Sequence, residues 1–245
     1  MSREIVVRTC EGLSEFRACV ALQRAIWGEA DLEIVPDTIF VVAAHTGGQI
    51  LGAFDGERLI GFLLSMPGSR NGAAYLHSHM TGVVAEYRDR GVGRMLKLLQ
   101  RDEALSRDIR LIEWTFDPLE MRNAHFNLNR LGAIARRYLP NLYGITSSPL
   151  HRGLATDRLV AEWYLDSPRV LAALNGELAG PEFSDSIELP STLEHWKSCD
   201  LPAVQKLQGR IREKFTEDFA KGYAAVRVAR TAQGSAYQLS PWSDF

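Results

Sequence analysis

Cysteine is scarce in this chain. It occurs three times in 245 residues, at Cys10, Cys19 and Cys199. An odd number without paired spacing argues against a zinc site or a disulfide framework and fits a reducing, cytoplasmic setting. Long apolar runs are missing too: none approaches the roughly 18 residues of a membrane span, and the opening MSREIVVRTCEG has charge but no apolar core of signal-peptide length. Nor does one sign of charge dominate. Twenty-eight Lys and Arg against 30 Asp and Glu leave a formal net charge of -2, so no global basic field points to nucleic acid or an anionic membrane. Any anion site has to be local.

What the chain does have is apolar content, 46% of its residues, enough to bury a core at this length without staples. Residues 4 to 8, IVVRT, read as a strand, and EGLSEFRACVALQRAIWG as a helix stopped at Gly28. After a mixed segment around Pro36, QILGAFDGERLIGFLLSM reads as two antiparallel strands joined at Asp55-Gly56. PGSRNGA is a turn leading into the strand AAYLHSHMTGVV. In VGRMLKLLQRDEALSR, Val92, Met95, Leu96, Leu98 and Leu99 make a broad apolar helix face with the charges elsewhere. IRLIEWTF is a strand ended by Asp117-Pro118, and MRNAHFNLNRLGA a helix stopped near Gly132. A parallel βαβ crossover among otherwise antiparallel strands implies a mixed α/β (α+β) class, with a mostly antiparallel central sheet and flanking helices. Beyond residue 150, RLVAEWYL reads as a strand, LPAVQKLQGRIREKFTEDFAKG as an amphipathic helix, and YAAVRVAR with SAYQLSP as a closing hairpin. Residues 175 to 194 are the linker candidate. The domain expectation is a core over 1–150 and an extension over 151–245.

The most informative stretch is VVAEYRDRGVGRMLKLLQ, where Gly91 and Gly93 stand among Arg88, Arg90 and Arg94 between a strand and a helix. Such a turn offers unsatisfied backbone N–H groups at a helix N-terminus, a preference for phosphate, and charge-assisted contacts from arginine. A tight turn with a solvated basic rim is the plainer reading. A P-loop is excluded because no Gly-Lys-Ser/Thr follows four spacer residues, and a Rossmann fingerprint because Leu96 stands where the third glycine belongs.

Arg88-x-x-Gly91-x-Gly93, preceded by HMTGVV and followed by a helix, resembles the acyl-CoA signature of the GNAT superfamily of N-acyltransferases. Asn123-Ala124 and Leu131-Gly132 resemble that family's next helix, and the likeness covers roughly residues 4 to 150. The resemblance implies acetyl-CoA or another acyl-CoA as co-substrate, with no metal. It implies that backbone N–H groups of Arg88, Asp89, Arg90, Gly91, Val92, Gly93 and Arg94 cradle the pyrophosphate. The main chain of Val83 and Val84 would pair with the pantetheine arm, which Asn123 touches. Asp89 departs from the glycine common there, and so has to face solvent or pair with an arginine.

Acyl transfer to an amine needs a proton acceptor and a donor for the departing thiolate. His77 and His79 lie at i and i+2 on the strand before the loop, hence on one face and roughly 7 Å apart, and histidine titrates near neutrality. Their spacing before Arg88 resembles the two-histidine relay of the arylalkylamine N-acetyltransferases. Structural packing is the competing reading. A metal reading of His-x-His lacks a third ligand. Leu128 stands where the family often has its thiolate-protonating tyrosine, leaving Tyr143, His125, Asn127 or water for that role. Glu113 and Thr115 read as solvent-side residues or as acceptor contacts, and Arg136-Arg137 as a solvated pair or a carboxylate grip. The implied activity is acetyl or succinyl transfer to a small-molecule amine, amino acids included, in an assembly for which a homodimer is a candidate. A non-catalytic acyl-CoA-binding module and a protein N-acyltransferase are the alternatives.

Overall fold

A computed structural model describes residues 4–28, 34–144, 153–178 and 183–243. The chain divides into two units, one running through Glu113 and the other starting at Trp114.

The N-terminal unit is a sheet with helices, in the order β1 (Ile5–Thr9), α1 (Gly12–Trp27), α2 (Asp37–His45), β2 (Gln49–Asp55), β3 (Arg58–Arg70), β4 (Ala73–Val83), α3 (Val92–Ser106) and β5 (Leu111–Phe116), whose last residues enter the second unit. The strands lie side by side as β1-β2-β3-β4-β5. All pairs are antiparallel except β4 with β5, which is parallel as the crossover requires. β2 is apolar almost throughout because alternate residues enter different clusters. Ile50 and Phe54 join Phe16, Phe40, Phe62 and Leu64; Leu51 and Ala53 join Leu63, Val92 and Leu96.

Three sequence expectations change here. The mixed segment holds α2, which buries only Phe40 and Ala43. The turn expected over PGSRNGA shrinks to Asn71-Gly72, whose positive φ values of 53° and 79° suit a two-residue hairpin turn. β3 runs on through Pro67 and Gly68, and Gly68 is needed because the Tyr75 ring of its cross-strand partner fills the space a Cβ would take, 2.5 Å away. On α3 the buried stripe is Val92, Leu96, Gln100 and Ala104 with Lys97 beside it, whereas Met95 is exposed.

The C-terminal unit contains α4 (Met121–His125), a π-helical turn (Phe126–Arg130), β6 (Ile134–Leu139), β7 (Arg158–Tyr164), α5 (Pro168–Asn175), β8 (Asp185–Pro190), α6 (Leu193–Cys199), α7 (Leu201–Ala220), β9 (Tyr223–Thr231) and β10 (Gly234–Pro241). Its strands are ordered β7-β6-β9-β10-β8 and pair antiparallel. α7 presses Phe215 against Tyr138 and Tyr237, with ring centroids 5.7 and 5.1 Å apart. Gly132 combines φ 76° with a close approach: an added Cβ would meet the Ala173 Cβ of α5 at 2.8 Å. β8 lies inside the stretch expected to be a linker, since Ile187 and Leu189 alternate into the core. β6, α5 and α6 were absent from the sequence reading. The described residues include no helix long and apolar enough to cross a membrane.

Arg136 and Arg137 on β6 do grip a carboxylate, the chain's own. Each Nε lies 3.0 Å from fully buried Glu162, which also accepts from the Tyr164 hydroxyl at 2.7 Å. Removing one partner of a buried ion pair costs more than the pair's net worth. Glu162→Ala is therefore expected to lower the unfolding free energy by roughly 3 kcal/mol in a denaturant titration. A loss below about 0.5 kcal/mol would mean that solvent already carries both guanidiniums.

Candidate functional site

The strand-to-helix turn is built from backbone choices. After β4, a short 3-10 turn at Ala85–Tyr87 is followed by extended Arg88, then Asp89 at φ 61° and Gly91 at φ 81°. Gly91 precedes the first residue of α3, which has no side-chain cap. The first N–H groups of the helix therefore receive no cap from the residue that precedes it. A Cβ built on Gly91 or Gly93 meets no atom within 4 Å, so the space in front of the turn is open. Asp89 is exposed and lies in the left-handed region that glycine fills without strain. Tyr87 is bracketed by two guanidiniums, Arg90 at 5.0 Å and Arg58 at 5.8 Å from its ring centroid, and its hydroxyl donates to Asp55.

The two valines before the turn differ in role. The Val84 N–H donates to Ile60 O at 2.9 Å, so Val84 is turned toward β3. By strand alternation Val83 presents its main chain to the other edge, where its carbonyl accepts from Arg88 Nε at 3.1 Å. That edge is where β4 has left β5: their ladder holds Leu76 to Ile112 and His77 to Glu113, while β4 continues to Val83.

His77 and His79 have ring centroids 6.1 Å apart, close to the spacing expected from strand rise. A bulge contributes, since Ser78 pairs with Ser65 and Met80 with Leu64, leaving His79 as the extra residue. Burial, then the charges of His79 and Lys97, pushes His77 down to about 4; desolvation also lowers His79. Both imidazoles are thus neutral at pH 7 and able to accept a proton. Glu113, the parallel neighbour of His77, is not solvent-side: it is 4% exposed and ion-paired with Arg70.

Sequence reasoning missed Lys97. Its ammonium, 3% exposed, donates to Ser78 Oγ at 2.8 Å and Gln100 Oε1 at 3.0 Å. Gln49 extends the network to the Gln100 carbonyl at 3.1 Å and accepts from Ser65 Oγ at 3.1 Å. Desolvation holds Lys97 down to about 7. The available signal was the i, i+4 spacing of the stripe, which runs through Gln100 and past Lys97.

Two other expected residues lie in the C-terminal unit. Asn123 is exposed on α4. Tyr143, 49% exposed, shares a hydrogen bond of 3.0 Å with Thr115 Oγ1, and Arg158 lies 5.5 Å from its ring centroid. Thr115 is thereby a tyrosine partner. Leu128 is fully buried and Asn127 nearly so, whereas His125 is exposed. Among the described residues no group of three or more His, Cys, Asp or Glu could hold a metal ion.

No protein-family model and no curated protein matches the chain. Solved structures do. Arabidopsis thaliana NAA60, determined with acetyl-CoA, superposes at a TM-score of 0.53 with 15% identity over 66% of this chain and 99% of its own. The ribosomal-protein-S18-alanine N-acetyltransferase of Escherichia coli reaches 0.53 at 12% identity over 74% and 100%. A Desulfovibrio desulfuricans protein assigned to the GNAT family gives 0.53 at 12% identity over 66% and 99%. At such identities the likeness speaks to fold. A mixed, mostly antiparallel sheet with flanking helices, shared with these acetyltransferases, gives this chain the fold of the GNAT superfamily.

Proposed function

We propose that the protein is an acyl-CoA-dependent N-acyltransferase that moves an acetyl or succinyl group to a small-molecule amine. The observation that carries this reading is the open, uncapped start of α3 behind Gly91, rimmed by Arg88, Arg90 and Arg94. That geometry suits a pyrophosphate: N–H groups and the helix dipole meet its charge, and the missing side chains let it come close. The Val83 main chain and Asn123 are assigned to the pantetheine arm. Coenzyme binding is placed in residues 1–150, with 151–245 as an extension.

In the proposed reaction the amine nitrogen attacks the thioester carbonyl carbon. The nitrogen becomes acidic as the new C–N bond forms, and neutral His77, with His79 beside it, takes its proton. The C–S bond then breaks, and the thiolate receives a proton from the Tyr143 phenol or from water. The low basicity of His77 suits an acceptor that must be unprotonated before the attack.

The deciding experiment combines thiol release from acetyl-CoA and succinyl-CoA across amino acids, arylalkylamines and peptides with calorimetric coenzyme A binding. Binding with release from free amines is the expected result; release confined to peptides would move the acceptor class to proteins. Binding without release across the panel would favour a binding module, and absence of binding would remove the coenzyme altogether.

Gly93→Ala separates ligand role from fold role. Its Cβ meets open space, and alanine is a better helix former by up to about 1 kcal/mol. Stability is expected to hold or rise while coenzyme A binding weakens. Unchanged affinity would contradict close backbone approach at this turn.

A further inference from the structure

Residues 141–144 are pinned by the two residues that precede β7. The Leu142 N–H donates to Thr156 O at 3.0 Å and the Tyr143 N–H to Thr156 Oγ1 at 2.9 Å, while Thr156 Oγ1 donates to Gly144 O at 2.8 Å. Asp157 accepts from the Asn141 N–H at 2.9 Å, and the Asn141 side-chain oxygen accepts from the Thr156 N–H at 3.2 Å. Thr156 and Asp157 are buried, yet the Tyr143 side chain that they fix in place is exposed. A fold gains little by ordering an open side chain, so the ordering points to something that Tyr143 meets.

Printed on the same spot are two opposite charges. The Tyr143 hydroxyl lies 3.0 Å from Thr115 Oγ1, the Arg158 Cζ lies 5.5 Å from the Tyr143 ring centroid, and Arg158 Nη1 lies 3.9 Å from Asp117 Oδ2. The Leu119 N–H orients that carboxylate by donating to Oδ1 at 2.8 Å. The approach of Arg158 to Asp117 is beyond hydrogen-bond length. Glu162 makes the contrast: it is gripped at 3.0 Å by two guanidiniums and its side chain has no exposed surface, whereas Asp117 keeps 26% of its side chain exposed. The first grip is closed, and the second leaves a gap between its charges. Burial pushes the Asp117 carboxyl up, and the Leu119 N–H and Arg158 pull it back only in part, so a further cation beside it would be favourable.

A dianion such as phosphate would meet Asp117 as well as Arg158, and a simple amine would use Asp117 alone. A zwitterion uses both. We infer that Arg158 and Asp117 form an acceptor subsite and that the acceptor is a free α-amino acid, its carboxylate on the guanidinium, its ammonium on Asp117 and the Tyr143 ring as the wall. The subsite lies wholly within the C-terminal unit, and it rests on the acyl-transfer reading for the fate of the amine. A guanidinium beside an aromatic ring still offers an edge of N–H donors that matches a carboxylate. The bound ammonium gives up one proton to solvent before its nitrogen attacks the thioester. The amide product carries no positive charge for Asp117 to hold, so it leaves more readily than the acceptor.

The test is calorimetric titration of the full chain, with and without coenzyme A present, using the common α-amino acids, each paired with the amine that lacks its carboxylate, as phenylalanine with phenethylamine. Wild type is expected to bind at least one amino acid saturably and the matching amine about tenfold more weakly, as loss of one charge-assisted bond implies. Arg158→Gln is expected to weaken the amino acid about tenfold and leave the amine unchanged, which abolishes the preference; Asp117→Asn is expected to weaken both. If Arg158→Gln folds poorly, the methyl ester of the same amino acid removes the charge from the ligand instead and should bind to wild type like the amine. No amino acid bound, or the amine and the ester bound as tightly as the acid, overturns the subsite. Thiol release measured on the same samples separates the two readings. Carboxylate-dependent binding without release from any acyl-CoA would keep the subsite and remove the transferase, whereas release from amines with no preference for a carboxylate would keep the transferase and remove the subsite.

Discussion

His77→Ala is expected to lower turnover about a hundredfold, the lower end of the range for a positioned general base, while leaving coenzyme A affinity within twofold of wild type. The modest figure follows from His77 lying at about 4, since a base loses effectiveness as its pKa falls away from the working pH. The same depression fixes the pH dependence. Above about pH 5 the imidazole is already neutral, so His77 adds no slope between pH 5 and 8. Its acid limb falls near pH 4 and should vanish in the variant. Stopped-flow thiol release with an amine that turns over reads both effects. A His77→Ala rate within twofold of wild type, with the acid limb intact, would remove His77 from the chemistry. A larger effect from His79→Ala would pass the role to its neighbour.

The sequence exposed the backbone logic of this site better than its side-chain chemistry. Gly91 declares a turn before a helix because its φ of 81° is hard for another residue to adopt, whereas Gly93 faces open space and is not required by the fold. The parallel crossover follows from a strand, a helix and a strand in succession. Burial is what the one-dimensional pattern hides. α2 went unseen because Ile39, Val41 and Val42 are strand-loving residues on a helix that packs only two of its side chains deeply. β6 was masked by Arg136 and Arg137, whose shared buried carboxylate, Glu162, lies on another strand. Sequence leaves Glu113 as a solvent-side residue or an acceptor contact and sets Lys97 among the charges off the apolar face, because it cannot show that Arg70 meets the first and that Ser78 and Gln100 accept from the second. In each case the missing information was a partner distant in sequence.

Lys97→Met is expected to reverse its stability order relative to wild type between pH 6 and pH 10. Lys97 lies at about 7 in the fold against an ordinary 10.5. From pH 7 to 10.5 the unfolded chain therefore holds one more proton than the native one, and stability rises with pH. Over that window the change amounts to about 5 kcal/mol. Below pH 7 the fold carries the whole burden of a buried ammonium; above 10.5 it carries none. Methionine removes the charge but leaves Ser78 Oγ and Gln100 Oε1 without the Lys97 donor, a loss of about 1–3 kcal/mol. The variant should thus be more stable than wild type at pH 6 and less stable at pH 10, as read by urea unfolding at each pH. A difference that stays flat across that range would show that Lys97 titrates normally. Because Lys97 also helps hold His77 down, the same substitution should raise the acid limb of turnover, which links the buried network under α3 to the imidazole proposed as the base.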